Sequence, residues 1–354
     1  MAPRVLTRCL LRPEDVPPKF EGFEVIGAFN PAAIVCGDRM ALLIRVAERP
    51  RSVREGFVAL PYWDARLGKA AIDWRSLDEV ESLDPRVVRL KAGGQIRLKF
   101  LSWLLAAFSR DGLSIDSFGE TPCLPADRYE SFGVEDPRLV RLGDRFYFTY
   151  VAVSVHGIAT ALASTDDFRS FRRHGVIFCP ENKDVVLFPE QVGSEYVALY
   201  RPNPDAHFSA PEIWLARSSD LLHWGAHRRL LGSEAAWATN KIGGGTPPVR
   251  TDLGWLSLFH GHIRPQRPGE VGQYAAAVLL QDLDDPDRVV GISPWPVMLA
   301  EHDFERSGFL TDVVFPCGLV RRGEQLDVYY GAADTSTGVA RFALADLLAA
   351  GEPI

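Results

Sequence analysis

Short apolar runs and polar turns alternate along the chain, and one arrangement of the two recurs five times. The unit reads FNPAAIVCGDRMALLIRV from Phe29, VEDPRLVRLGDRFYFTYV from Val134, VLFPEQVGSEYVALYRP from Val186, GGTPPVRTDLGWLSLFHG from Gly244 and VVFPCGLVRRGEQLDVYYG from Val313. Each copy holds a proline, a few apolar residues, a turn containing Gly or Asp, and a second apolar run that closes on a large polar or aromatic side chain. Alternating runs on either side of such a turn predict a β-hairpin. The marker prolines, Pro31, Pro137, Pro189, Pro248 and Pro316, are separated by 106, 52, 59 and 68 residues. These intervals suit four-stranded blades with insertions, so the pattern predicts an all-β protein, a five-bladed β-propeller.

Residues 72–83 and 341–350 are the only stretches with a fair helical periodicity, and neither alternates with strands as a parallel α/β fold requires. A two-sheet sandwich would not repeat a unit of this length five times. No low-complexity linker divides the chain. Residues 1–354 are expected to form one domain, with a short extension over about 1–20, an elaborated first blade over 48–100 and a helical segment over about 341–350.

With 354 residues, 47% of them hydrophobic, the chain can bury a large core. The net charge of -7 argues against a nucleic-acid or anionic-membrane surface, so a bound anion needs a local cationic pocket. Five widely spaced cysteines without a Cys-x-x-Cys pair suggest neither a disulfide scaffold nor a zinc site. No run approaches the roughly 20 apolar residues of a transmembrane helix. Together these features predict a cytoplasmic protein.

In a hairpin, the start of one strand and the end of its partner lie side by side. Hairpin entries carry Asn30, Asp136, Lys241 and Asp312, and exits carry Arg45, Tyr150, Arg201, His260 and, a little further on, Asp334. Arranged around one axis, these would converge on one mouth. An inverting glycosidase needs two carboxyl groups, whereas phosphorolysis needs one acid and a cationic cradle, since phosphate is its own nucleophile. Two arginines, a lysine and a histidine beside a few carboxylates lean toward phosphate.

Simpler roles exist for each residue taken alone. Asp136 before Pro137 could cap a turn, and Arg45 or Arg201 could be buried partners of carboxylates. Glu135 should face away from Asp136 and form a structural salt bridge, with Arg138 as its partner. His260-x-His262 has no third ligand at metal spacing. Most tryptophans should be core, with Trp237 and Tyr62 as rim candidates for stacking on a sugar.

The segments FNPAAI, GVEDPR, NKDVVLFPE, YRP, EIWLARSSDLLHW, KIGGGTPP, GWLSLFHG and VVFPCG...YYGAAD resemble glycoside hydrolase family 130, the mannoside phosphorylases and their hydrolytic relatives. The resemblance implies a five-bladed propeller and inverting phosphorolysis of a β-mannoside to α-D-mannose 1-phosphate. By resemblance, Asp136 is the catalytic acid, acting through the mannose 3-hydroxyl. Arg201, Lys241, His260 and Lys183 match phosphate ligands. Asn30, Arg45 and Asp334 look like mannose contacts, with Tyr150 and Asp312 as further substrate-binding candidates. No metal or organic cofactor is implied; inorganic phosphate is the co-substrate and a β-mannoside oligosaccharide the partner, with a homo-oligomer left open. Two alternatives remain at this point. One is an inverting β-mannosidase using Asp136 with Asp312 or Glu190, and the other a non-catalytic glycan-binding propeller.

Overall fold

A computed structural model of the chain describes residues 2–203, 208, 211–232, 234–265 and 272–353. Five larger antiparallel sheets follow one another in chain order, here sheets I to V. Sheet I contains Phe23–Cys36, Arg39–Pro50, Leu101–Ser109 and Ser117–Phe118. Sheet II contains Val134–Leu142, Arg145–Ser154, Gly157–Thr165 and Arg172–Phe178, and sheet III contains Asn182–Leu187, Tyr196–Pro202, Ile213–Ser218 and Gly225–Leu231. Sheet IV is built on Lys241–Gly244, Gly254–Ile263, Gln273–Gln281 and Val289–Ile292. Sheet V takes Val314–Arg322, Gln325–Ala332 and Ser336–Ala343, then borrows its outer strand, Leu6–Leu11, from the other end of the chain.

The first hairpins of sheets I, II and V turn on Gly37, Gly143 and Gly323, with φ of 65°, 61° and 62°. Glycine at the first central position of a two-residue loop gives the type II′ turn, whose twist matches that of the strands. These are the Gly-Asp and Gly-Glu turns of the repeat.

Both faces of each sheet are covered, which is why its middle strands are almost wholly apolar. Leu42 and Ile44 pack against Tyr329 and Val339 of sheet V. Leu43 and Leu104 pack against Phe148 and Ala163 of sheet II. Val140 and Leu162 meet Ala198 and Ala216 of sheet III, Leu199 and Leu215 meet Phe259 and Leu279 of sheet IV, and Leu256 and Val278 meet Val314 and Phe342 of sheet V. Consecutive sheets thus share one apolar core each, and the fifth shares one with the first.

The two helical expectations fare differently. Residues 344–350 do form a helix, Leu344–Ala350, but residues 341–343 are the end of a strand. Residues 72–83 are not helical. Apart from one 3-10 turn, Leu77–Glu79, they lie in the strands Lys69–Ser76 and Val80–Leu83, because Phe57–Asp64 and Val87–Leu90 supply hydrogen-bonding partners that periodicity cannot reveal. Two small sheets therefore fill the long insertion between the second and third strands of sheet I. Among the described residues no helix is long and apolar enough to cross a membrane.

Candidate active site

The opening strands of sheets I, II and III share one irregularity. Pairing breaks off after Phe29, Glu135 and Lys183 and resumes at Ala32, Arg138 and Val186, leaving a two-residue bulge in each. The first bulge residue is Asn30, Asp136 or Asp184, with φ of 51°, 49° and 58°. Left-handed backbone is costly for most L-residues and least so for Asn and Asp. The bulge turns these three side chains out of the ladder and into a common cavity of about 210 Å³. Opposite the residue before the bulge stand Arg45 and Arg201, and the corresponding partner in sheet IV is His260, opposite Gly243. All three also line the cavity.

One half of the cavity is acidic. Asp136 Oδ1 accepts from Asn30 Nδ2 at 2.7 Å and from an Arg45 Nη at 2.9 Å. The other Arg45 Nη donates to Glu135 at 2.6 Å, and Arg45 Nε donates to Ser102 Oγ at 3.2 Å. Burial pushes the Asp136 carboxyl up, but Arg45, Arg138 and the Asn30 hydrogen bond outweigh it and hold the group below the usual carboxylate range. Burial prevails at Glu135 and Asp334, whose carboxyls are raised despite Arg45. Three carboxyl groups around one guanidinium therefore hold unequal affinities for a proton.

The other half is cationic, with Lys183, Arg201, Lys241 and Arg86 on its wall. Arg201 Nη1 lies 2.9 Å from Asp184 and 3.2 Å from His260 Nε2. Burial, then Arg201 and Lys183, push the Lys241 ammonium down to about 7. Burial pushes His260 down to about 3, and its Nδ1 donates to the Gly244 carbonyl at 3.1 Å, so the ring is neutral. Tyr274 closes this side, with Lys241 Nζ 5.8 Å from its ring centroid.

Most of the residues singled out from sequence meet here: Asp136, Arg201, Lys241, His260, Lys183, Asn30, Arg45 and Asp334 all line the cavity. Tyr150 does not. It stands one residue before Val151, the partner of Glu135, and a single step along a strand reverses the face. Its ring is core and its hydroxyl donates to Glu130 at 2.5 Å. Asp312 precedes the strand Val314–Arg322 and meets Tyr274 only through its carbonyl oxygen, so it is absent from the lining. Glu190 pairs with Arg250 on the surface, far from any water-activating position in the cavity. Trp237 is buried in the core between sheets III and IV, and Tyr62 packs on Phe132, Val151 and Val153. Glu135 pairs with Arg45, not Arg138, because the bulge breaks the alternation that would have turned it away.

Asp184, Arg86 and Tyr274 line the cavity without having been singled out. A signal for Asp184 existed: aligned on the Asx residue, FNPAAI, VEDPRL and NKDVVL are one motif, whereas the marker proline of the third unit, Pro189, lies beyond its strand. Arg86 comes from the insertion and Tyr274 from the third strand of sheet IV, outside the repeat. Among the described residues no three His, Cys, Asp or Glu side chains are grouped to hold a metal ion.

The profile of glycoside hydrolase family 130, described as beta-1,4-mannooligosaccharide phosphorylase, matches residues 103–351. The chain belongs to glycoside hydrolase family 130. Within that family it is similar to a beta-1,2-mannobiose phosphorylase of Listeria innocua, 39% identical over 345 residues that cover 96% of this chain and 95% of that one. A solved structure of the Listeria innocua beta-1,2-mannobiose phosphorylase in complex with beta-1,2-mannobiose superposes with a TM-score of 0.90 over 96% of both chains, at 38% identity. A 1,2-beta-oligomannan phosphorylase of Thermoanaerobacter is 31% identical over 253 residues, 70% of this chain and 81% of its own.

Proposed function

We propose that this family 130 member is a glycoside phosphorylase that cleaves a β-1,2-linked mannoside with inorganic phosphate, releasing α-D-mannose 1-phosphate and a free acceptor sugar. The observation that carries the proposal is the two-sided cavity, with Asp136 held by Arg45 and Asn30 on one wall and Lys183, Arg201, Lys241 and Arg86 on the other. The extended similarity to a beta-1,2-mannobiose phosphorylase supports both the reaction and the linkage. The cyclic sharing of apolar cores, together with the outer strand Leu6–Leu11 of sheet V, supports a closed five-bladed propeller with the cavity at one mouth.

Asn30, Arg45 and Asp334 orient the mannosyl ring, and Lys183, Arg201, Lys241 and His260 hold phosphate behind the anomeric carbon. A phosphate oxygen forms the new bond to that carbon as its bond to the leaving oxygen breaks, with inversion. The mannose 3-hydroxyl passes its proton to the leaving oxygen and is reprotonated by way of Asp136, which, ionised in the free protein, takes up the proton carried by hydrogen phosphate. Fixed cations and bound phosphate offset charge developing on the sugar ring, so the chemistry calls for no metal or organic cofactor.

The test is to incubate the protein with β-1,2- and β-1,4-mannobiose, with and without phosphate, and to follow products by phosphorus NMR. Mannose 1-phosphate should appear from the β-1,2 dimer and only with phosphate. Release of free mannose at the same rate without phosphate would overturn the proposal.

A further inference from the structure

A carboxylate stands where a phosphate cradle should exclude one. Asp184 lies in the cationic half of the cavity, its side chain 1% exposed. Its Oδ2 is 2.9 Å from Arg201 Nη1 and 3.5 Å from His260 Nε2. A carbonyl oxygen can only accept, so the 3.1 Å contact of His260 Nδ1 with Gly244 makes that nitrogen the donor. Nε2 is then a lone-pair acceptor, and it takes the Arg201 Nη1 hydrogen bond at 3.2 Å. Arg201 is thereby held from two directions, by a charge and by a neutral imidazole.

The backbone is shaped around this carboxylate. Asp184 sits at φ 58°, and a Cβ on Gly243 would lie 2.6 Å from its Oδ2. A Cβ on Gly244 would lie 2.8 Å from the Asp184 carbonyl oxygen. The glycines after Lys241 are therefore the complement of Asp184 in the facing sheet. Arg201 Nε, buried, has no hydrogen-bond partner among the described residues, and Asp184 Oδ2 meets Arg201 as an ion pair without hydrogen-bond geometry. A donor fixed in place and left unpaired points to a ligand.

We propose that Asp184 is a positioning residue for the phosphate-binding arginine: its charge holds Arg201 Nη1 from one side while His260 Nε2 accepts from the same nitrogen on the other, so that Arg201 meets the incoming phosphate preorganised. The inference rests on the proposed phosphate site and deepens it. Two consequences of one carboxylate have opposite signs. As a nearby anion Asp184 repels phosphate, so its removal would tighten binding; as a clamp it improves binding, so its removal would weaken it. The clamp dominates, because a carboxylate serving no positioning purpose would only lower the affinity of a site otherwise lined with cations.

The experiment compares Asp184→Asn and Gly243→Ala with the wild type in the phosphorolysis of β-1,2-mannobiose. Asn keeps the shape and loses the charge. It should raise KM for phosphate at least about tenfold and leave KM for mannobiose within about twofold, with a thermal melt confirming the fold. Gly243→Ala, which drives a methyl group at both the Asp184 carboxylate and the His260 ring, should raise the same constant. A fall or no change in KM for phosphate in Asp184→Asn overturns the proposal. If that variant does not fold, an unchanged KM for phosphate in folded Gly243→Ala overturns it instead. Wild-type turnover that ignores phosphate would sink the proposed function itself, a different result from phosphate-dependent wild type with unaltered variants.

Discussion

Phosphate use should weaken as pH rises, and Lys241 sets where. Its ammonium is pushed from 10.5 down to about 7 by burial, with Arg201 and Lys183 adding repulsion. A base whose affinity for a proton is lowered is charged below that value and neutral above it. In the free protein Lys241 is thus about nine-tenths charged one unit below and about one-tenth charged one unit above. Phosphate prefers the ammonium, because a charge-assisted hydrogen bond is worth about 1.5 to 3 kcal/mol, or roughly 10- to 150-fold in affinity. KM for phosphate should therefore be nearly flat below about pH 6 and climb toward tenfold per unit above about pH 7, until the neutral lysine form binds on its own.

Phosphate itself titrates in this range, so the measurement needs a reference that does not. Lys241→Arg supplies one, since a guanidinium remains charged throughout. KM for phosphate would be measured for both proteins from about pH 5.5 to about pH 9, and their ratio taken at each pH to cancel the titration of phosphate. The ratio of wild type to variant should rise with pH through a midpoint near or above the value for the free protein, as bound phosphate stabilises the ammonium. A ratio that stays constant would refute the claim that Lys241 titrates in the phosphate site.

Asp136→Asn should lower kcat by about 10²- to 10⁴-fold while a thermal melt still shows a folded protein, because Glu135 keeps Arg45 paired; near-normal turnover would dismiss it as the acid. Arg45→Met strips Glu135 and Asp136 of a buried partner. Urea denaturation should show a loss of about 3 to 5 kcal/mol, and a stability within error of wild type would mean that the carboxylates simply take up protons. Tyr150→Phe leaves buried Glu130 short of a donor. It should cost about 1 to 3 kcal/mol while both KM values hold, and a raised KM for mannobiose would return Tyr150 to the site. Arg86→Gln should raise KM for phosphate severalfold in steady-state kinetics; an effect confined to mannobiose would place Arg86 on the acceptor side instead.

The sequence by itself determined the five sheets, because each hairpin advertises its turn locally, as Gly37, Gly143 and Gly323 do. The chemistry at the hairpin ends was legible as well, since Asn30 and Asp136 stand seven residues before their turns and Arg45, Arg201 and His260 close the strands that follow, with Lys241 a little upstream of its own hairpin. Family motifs supplied Lys183, on which the hairpin ends alone were silent. Register was decided only by the tertiary structure. A two-residue bulge changes which side chains face the cavity without changing composition, so Glu135 enters the site and its expected partner Arg138 does not. The face of a strand residue was hidden in the same way, and Tyr150 turned into the core, not the cavity. Partnership across sheets was equally hidden. Residues 72–76 and 80–83 became strands because their neighbours offer a ladder, and Arg86 reaches the cavity from an insertion with no counterpart in the repeat. Asp184 needed both kinds of information: its bulge matches those of Asn30 and Asp136, but its clamp on Arg201 and the glycines that make room for it come from two different sheets. Local patterning encodes which elements form; the packing of one sheet against the next sets the distances on which catalysis depends.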